Sequence, residues 1–286
     1  MANNNYMQKF YDEEPSSDLI KNGFLIDSNF LHGVSLATLS VKNKNQANKL
    51  KKEIGEYIIL NSPYLNILPN SQNYTQKILN EQLKKFIPSS PKKMLVVGLG
   101  NEEITADSFG SCCVDKLKLR KNIFAIKPNV YFNTNVFSYD IVKGVCNQIK
   151  PDLVVLIDSL GTLNIKRLAC SFQFCNVGIL PGGALNNLNK TISPNTLGIP
   201  CVVIGVPLMI FAKGIDGNLE KFYQDMILTP KDIEGMVTLC SNMICRAINS
   251  LYWPGLVNAV GYSGKSVSPG QRSSGPLWHS GTSGYP

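Results

Sequence analysis

Hydrophobic positions follow two regimes along this 286-residue chain, one before and one after about residue 90. In the first, FLIDSNFLHGVSLATLSV (24–41) reads as strand with a turn at His32-Gly33, and residues 44–54 are polar, Lys-rich and helix-compatible. EYIILNS (56–62) returns to strand. From Asn73 to Phe86 the apolar residues Ile78, Leu79, Leu83 and Phe86 recur at helical spacing with polar residues between them. Ser89-Ser90-Pro91 then interrupts the chain.

The second regime begins with MLVVGLGN (94–101), an unbroken apolar run ending in glycines, as expected of a strand covered on both faces of a parallel sheet. A helix is expected from Asp107 to about Leu119. NIFAIKP and VYFNTNV (130–136) read as short strands and SYDIVKGVCNQIK (138–150) as a helix. PDLVVLIDSLG (151–161) is a second buried strand, and LACSFQFC (168–175) and IPCVVIGVP (199–207) are further strands. DIEGMVTLCSNMICRAINSL (232–251) is the closing helix. Buried strands alternating with helices predict an α/β fold with a largely parallel sheet.

Composition narrows the picture. Hydrophobic residues make up 44% and charged residues 17%, which fits a packed domain and not a disordered chain. No apolar stretch approaches the roughly 18–20 residues that a spanning helix needs, and the polar start MANNNYMQKFYDEEPSSD resembles neither a signal nor a transit peptide. A cytoplasmic location is expected. The net charge of +8 is spread along the chain with no block of five or six basic residues, which reads as solubility; direct nucleic-acid binding is not expected. The eight cysteines form no C-x-x-C and sit in apolar text, so they read as buried free thiols. The last 25 residues, with 7 Ser, 5 Gly and 3 Pro, read as a tail outside the folded domain.

Chemistry is narrowed mainly by what the inventory lacks. The two histidines are His32, in a hydrophobic strand and read as structural, and His279, in the tail; a Ser-His-Asp or Cys-His set would have to use His32 alone, and a zinc site with two or three histidine ligands is not expected. Gly98-Leu99-Gly100 follows a buried strand, but Glu103 occupies the third glycine position of the dinucleotide fingerprint. No cofactor and no metal are expected. Carboxylates remain. Asp107 lies beyond the glycine turn and Asp158 ends VVLID in the next long buried strand, and open α/β sheets build sites outside the carboxyl ends of their strands. Two carboxyls in one crevice resist double ionisation, so one keeps a proton while the other polarises a water. Asp107 could instead cap a helix, and Asp158 could cap the next segment or pair with Arg167.

At these segments the sequence resembles the germination protease family of spore-forming bacteria. The resemblance rests on LVVGLGN…T-x-D-x-x-G, KPDLVVLIDSL, Ile165-Lys166-Arg167-Leu168, GILPGGALNN, NTLGIP, VVIGVP and ILTPKDIEGMVTLCSNMICRAIN in that order. Upstream, GVSLATLSV and IGEYIIL match the family's N-terminal strands and Ser17-Asp18-Leu19 falls where it carries a Thr-Asp-Leu segment, so the resemblance spans about residues 17–255. The resemblance implies an atypical aspartic endopeptidase that degrades small acid-soluble spore proteins at germination. It would be made as an autoprocessing zymogen, located in the forespore or spore core and assembled as a homo-oligomer. It implies a three-layer fold with helices on both faces of the sheet and an N-terminal strand extension, like that of the hydrogenase-maturation peptidases. It also implies Asp107 and Asp158 as the essential pair, with Gly100, Asn101, Arg167, Gly182 and Asn187 in supporting or substrate-binding positions. Leu163-Asn164 and the stretch Leu180–Asn189 depart from the family pattern, the latter lacking its histidine and Lys-Arg pair.

The expected organisation is a flexible N-terminal segment at 1–17, serving as propeptide, one peptidase domain at 18–255, and a tail at 256–286. Two other readings stand beside it. A hydrogenase-maturation-type peptidase would need a nickel-sensing histidine, and no histidine follows Asp158 within the domain. A binding protein on the same fold would keep its N-terminus, whereas an active zymogen would shorten.

Overall fold

The structure, a computed structural model, describes residues 24–31, 33–87, 91–182 and 190–252. The expectations for 1–17, His32, Asn187 and the tail lie outside these residues. Strands β1 (Phe24–Leu31), β2 (Val34–Val41) and β3 (Gly55–Asn61) come first, with helix α1 (Lys44–Leu50) between the last two. Helix α2 (Pro69–Phe86) leads to β4 (Met94–Gly98). A 3-10 turn at Thr105–Asp107 precedes α3 (Phe109–Lys116), β5 (Ile123–Ile126), α4 (Tyr131–Thr134) and α5 (Ser138–Ile149). Then follow β6 (Leu153–Thr162), β7 (Ser171–Cys175), α6 (Pro194–Leu197), β8 (Cys201–Phe211), α7 (Lys221–Gln224), β9 (Ile227–Leu228) and α8 (Ile233–Tyr252).

Among the described residues nine strands join one sheet in the order β1-β2-β3-β7-β8-β6-β4-β5, with β9 on β8. The sheet is mixed. The four strands β8, β6, β4 and β5 pair in parallel, while β1, β2, β3 and β7 continue the sheet antiparallel. The parallel half is the one whose strands read as continuous apolar runs. Every residue of β4, and Leu153–Ile157 of β6, is buried. The antiparallel direction of β7 follows from its connection: no covering helix is described between β6 and β7, only a 3-10 turn at Ile165–Arg167 and a left-handed Ala169, so β7 cannot return parallel.

Alternation along the strands builds a core on each face. Met94, Val96, Val155, Ile157, Val202 and Ile204 pack with residues of α2, α3 and α8 on one face. Leu95, Val97, Val154, Leu156, Cys201 and Val203 pack with residues of α5 on the other. The result is a three-layer α/β arrangement. Among the described residues no helix is long and apolar enough to cross a membrane. All eight cysteines are free thiols, seven of them buried.

One expected strand is a helical turn. VYFNTNV folds as α4, with Asn135 left-handed at its C-cap. Asn129 Oδ1 accepts the Val130 N–H, and Thr134 Oγ1 donates to the Val130 carbonyl. Tyr131 stacks on Phe137 at 4.6 Å. These local side-chain bonds outcompete a strand ladder. The expected helix from Asp107 is also divided, into a 3-10 turn and α3, and β8 runs past Pro207, where its register against β6 shifts.

The contact that positions the site is between glycines. A Cβ on Gly98 would overlap the Gly110 carbonyl oxygen, and one on Gly110 would overlap the carbonyl oxygens of Leu99 and Ile157. The first turn of α3 therefore rests directly on the backbone at the end of β4 and in the middle of β6. Gly110→Ala should lower stability by about 2–3 kcal/mol or more, because the methyl meets backbone that has no rotamer with which to yield. Urea unfolding of the variant beside wild type checks this; an unchanged midpoint contradicts the close approach.

Candidate active site

Strand β4 ends at Gly98, opposite Ile157, and β6 continues. Asp158 is thus the first residue of β6 to emerge beyond β4. The chain leaves β4 through α3 towards β5 and leaves β6 towards β7 and β8, so the connections diverge above this point. Such a divergence opens a crevice at the carboxyl ends of the strands. Asp107 enters from the loop after β4.

That loop is organised around Asn101 and Gly100. Gly100 has φ +105°, and a Cβ there would overlap the Asp107 carbonyl oxygen. The Asn101 backbone N–H donates to Asp107 Oδ2 at 2.8 Å. The Asn101 side-chain carbonyl accepts from the Glu103 N–H at 3.0 Å and from Asn133 Nδ2 at 3.3 Å, tying the loop to α4. Ser159 Oγ donates to Asp107 Oδ1 at 2.9 Å. Both carboxyl oxygens of Asp107 are therefore held.

Neither aspartate does routine capping work. Ser108, not Asp107, is the N-cap of α3, and Asp158 lies within a strand. Their surroundings differ. Asp158 is 7% exposed. Burial pushes its carboxyl well above the usual range, the charge of Asp107 pushes it further, and the Ser159 backbone N–H only partly opposes this. Asp107 is half-buried. Burial raises it too, but the Asn101 N–H and the Ser159 hydroxyl favour its ionised form. Of the two, Asp107 is the one equipped to lose its proton first.

The structure thus brings together Gly100, Asn101, Asp107 and Asp158. Arg167, buried in the turn after β6, does not figure among the causes of either aspartate's shift. Gly182, left-handed at φ +65°, opens the stretch 183–189 that contains Asn187 and lies outside the described residues. Ser159 carries no motif of its own; its only signal in the sequence is its place directly after Asp158. A cavity of about 680 Å³ lies at the opposite, amino-terminal end of the strands, lined among others by Glu56, Lys85, Asp152 and Asn176. It is remote from this chemistry.

A family model described as germination protease matches residues 2–222. The chain belongs to the germination protease family, and it is a peptidase, hence a hydrolase. It is 27% identical to the germination protease of Clostridium acetobutylicum, with 82% of this chain and 90% of that one covered. It is 28% identical to that of Priestia megaterium, covering 73% and 62%. Among solved structures it is similar to the NiFe hydrogenase maturation protease HycI from Thermococcus kodakarensis, at 14% identity and a TM-score of 0.39, over 58% of this chain and 98% of that one.

A carboxyl whose native pKa is raised binds its proton more tightly in the folded state than in the unfolded state. Its contribution to stability is therefore complete below the unfolded value, about 4, and is lost as pH climbs through the raised native value. Asp158→Asn removes this loss. Its Tm relative to wild type should rise by several degrees between pH 5 and 8, as measured by calorimetry. A constant difference across that range contradicts the raised carboxyl.

Proposed function

We propose that this protein is an aspartate-dyad endopeptidase that initiates breakdown of small acid-soluble spore proteins at germination. The observation that carries the reading is the unequal pair: Asp107 with two donors on its carboxylate, Asp158 buried beside it. The surroundings favour ionisation of Asp107 before Asp158, the acid–base division that peptide hydrolysis requires.

In the first step Asp107 takes a proton from a water as its oxygen attacks the scissile carbonyl carbon. Asp158 gives its proton to the carbonyl oxygen, producing a neutral tetrahedral diol. In the second step the proton on Asp107 passes to the amide nitrogen, the C–N bond breaks, and one diol hydroxyl returns its proton to Asp158. The pair ends as it began. Loops joined through Asn101 and Asn133 carry the exposed apolar side chains Ile104 and Phe132, suited to the apolar side chains of a protein substrate. The chain is made as a zymogen that loses an N-terminal segment ending near Asp18, in the forespore.

Digestion of a purified small acid-soluble spore protein, read by mass spectrometry, should give cuts at a few defined bonds, insensitive to chelator. Asp107→Asn and Asp158→Asn should each lower the rate by at least about a thousandfold, in proportion to the loss of an essential acid or base. Asp107→Asn should also remain full length where wild type shortens. Cleavage that survives either substitution overturns the dyad.

The pH profile tests the division of roles. Ser159→Ala removes a donor from the Asp107 carboxylate, which raises its pKa and moves the acid limb of kcat to higher pH. On that limb the rate should fall roughly tenfold, the equivalent of the ~1.5 kcal/mol of a hydrogen bond to a charged group. If the alkaline limb moves instead, Asp107 is not the base.

A further inference from the structure

The sheet register places a second polar side chain in the same row as Asp158. Asp158 of β6 and Gln173 of β7 both pair with Gly205 of β8, from its two sides. Alternation puts all three on the face that carries Val154 and Leu156 of β6, Cys201 and Val203 of β8, and Cys175 of β7. Gly205 contributes no side chain, so Asp158 and Gln173 face one another across it. At two strand spacings they stand about 10 Å apart.

Gln173 is fully buried, yet neither its amide nitrogen nor its amide oxygen has a hydrogen-bond partner. The Ser171 hydroxyl, two residues before it on the same face, is fully buried and unpartnered as well. A buried carboxamide without partners costs free energy, and folded proteins leave few of them. Leu160 accounts for the burial on the Asp158 side. Its side chain leans over Gly205 into the space that a Cβ there would occupy, and it remains half-exposed.

We propose that Gln173 is a substrate-binding group of this site, pairing its amide N–H and its amide oxygen with one main-chain peptide group of an extended polypeptide. A peptide group presents one acceptor and one donor, the complement of a carboxamide. An extended chain advances about 3.3 Å per residue, so a strand laid across β6, β8 and β7 with its scissile bond at Asp158 reaches Gln173 about three residues away. The substrate backbone displaces Leu160 and gives Gln173 the partners it lacks in the free protein. Recognition through the main chain holds the substrate in place without demanding a particular side chain there. The inference rests on the dyad reading for the position of the scissile bond.

The test uses the processed form, the chain without its N-terminal segment up to Asp18, carrying Asp107→Asn, which holds substrate without cutting it. Affinity for the spore protein is measured by calorimetry with and without Gln173→Met, an apolar replacement of similar size. Affinity should fall about tenfold while Tm stays unchanged or rises, because the variant removes a buried group that had no partner. In the otherwise wild-type enzyme, Gln173→Met or Gln173→Leu should raise KM for peptides that span the cut site. It should have no effect on peptides truncated within three residues of the cut on one side. Unchanged affinity overturns the proposal, as does an equal loss on the truncated peptides. Continued cutting by Asp107→Asn is a separate result, the failure of the dyad reading.

Discussion

Bringing a second carboxyl up to Asp158 is unfavourable, because each carboxyl loses water there and each opposes the ionisation of the other. The fold imposes the pairing through backbone contact. Gly98 and Gly110 let the start of α3 lie on the end of β4 and the middle of β6. Gly100 then turns the chain at a φ that side chains rarely adopt, and Asp107 arrives with its carboxyl clasped by Asn101 and Ser159. A side chain at any of these glycines would push the loop away and separate the pair. Two apolar cores, one on each face of the sheet, hold the strands rigidly enough for that clasp to persist.

The chemistry follows from asymmetry more than from proximity. Asp158 is deeply buried and has the Ser159 backbone N–H as its counterweight, while the half-buried Asp107 has donors on both of its oxygens. Ser159 serves both residues, its backbone towards Asp158 and its hydroxyl towards Asp107. A single residue thereby biases the pair towards one proton in one place. Gln173 belongs to the same logic, since a polar group held without partners in the free protein is in place for a ligand that supplies them.

Much of this was legible in the sequence, for identifiable reasons. The runs at 94–98 and 153–157 are buried on both faces, so they are apolar without interruption, and α2, α5 and α8 keep a helical period because each presents one face to the sheet. The two aspartates are legible because the apolar runs stop at Gly98, before the loop that carries Asp107, and at Asp158, although β6 itself continues to Thr162. The turn at 131–134 was not legible, since alternating aromatic and polar residues fit a strand until Asn129 and Thr134 form their own backbone bonds. Nor does a short run such as Ser171–Cys175 state its direction. Gln173 and Asp158 share one row of the sheet through Gly205, and three strands distant in sequence acquire that register only in the folded sheet.

The central claim is that the pair carries one proton, held on Asp158. Carbon-13 NMR of selectively labelled aspartate carboxyls measures this directly, with Asp107→Asn and Asp158→Asn spectra assigning the signals. Two separated titration steps are expected, the lower one mainly Asp107 and the upper one mainly Asp158, both above the ordinary value of about 3.9. Two carboxyls titrating together near that ordinary value, or Asp158 ionising first, would contradict it.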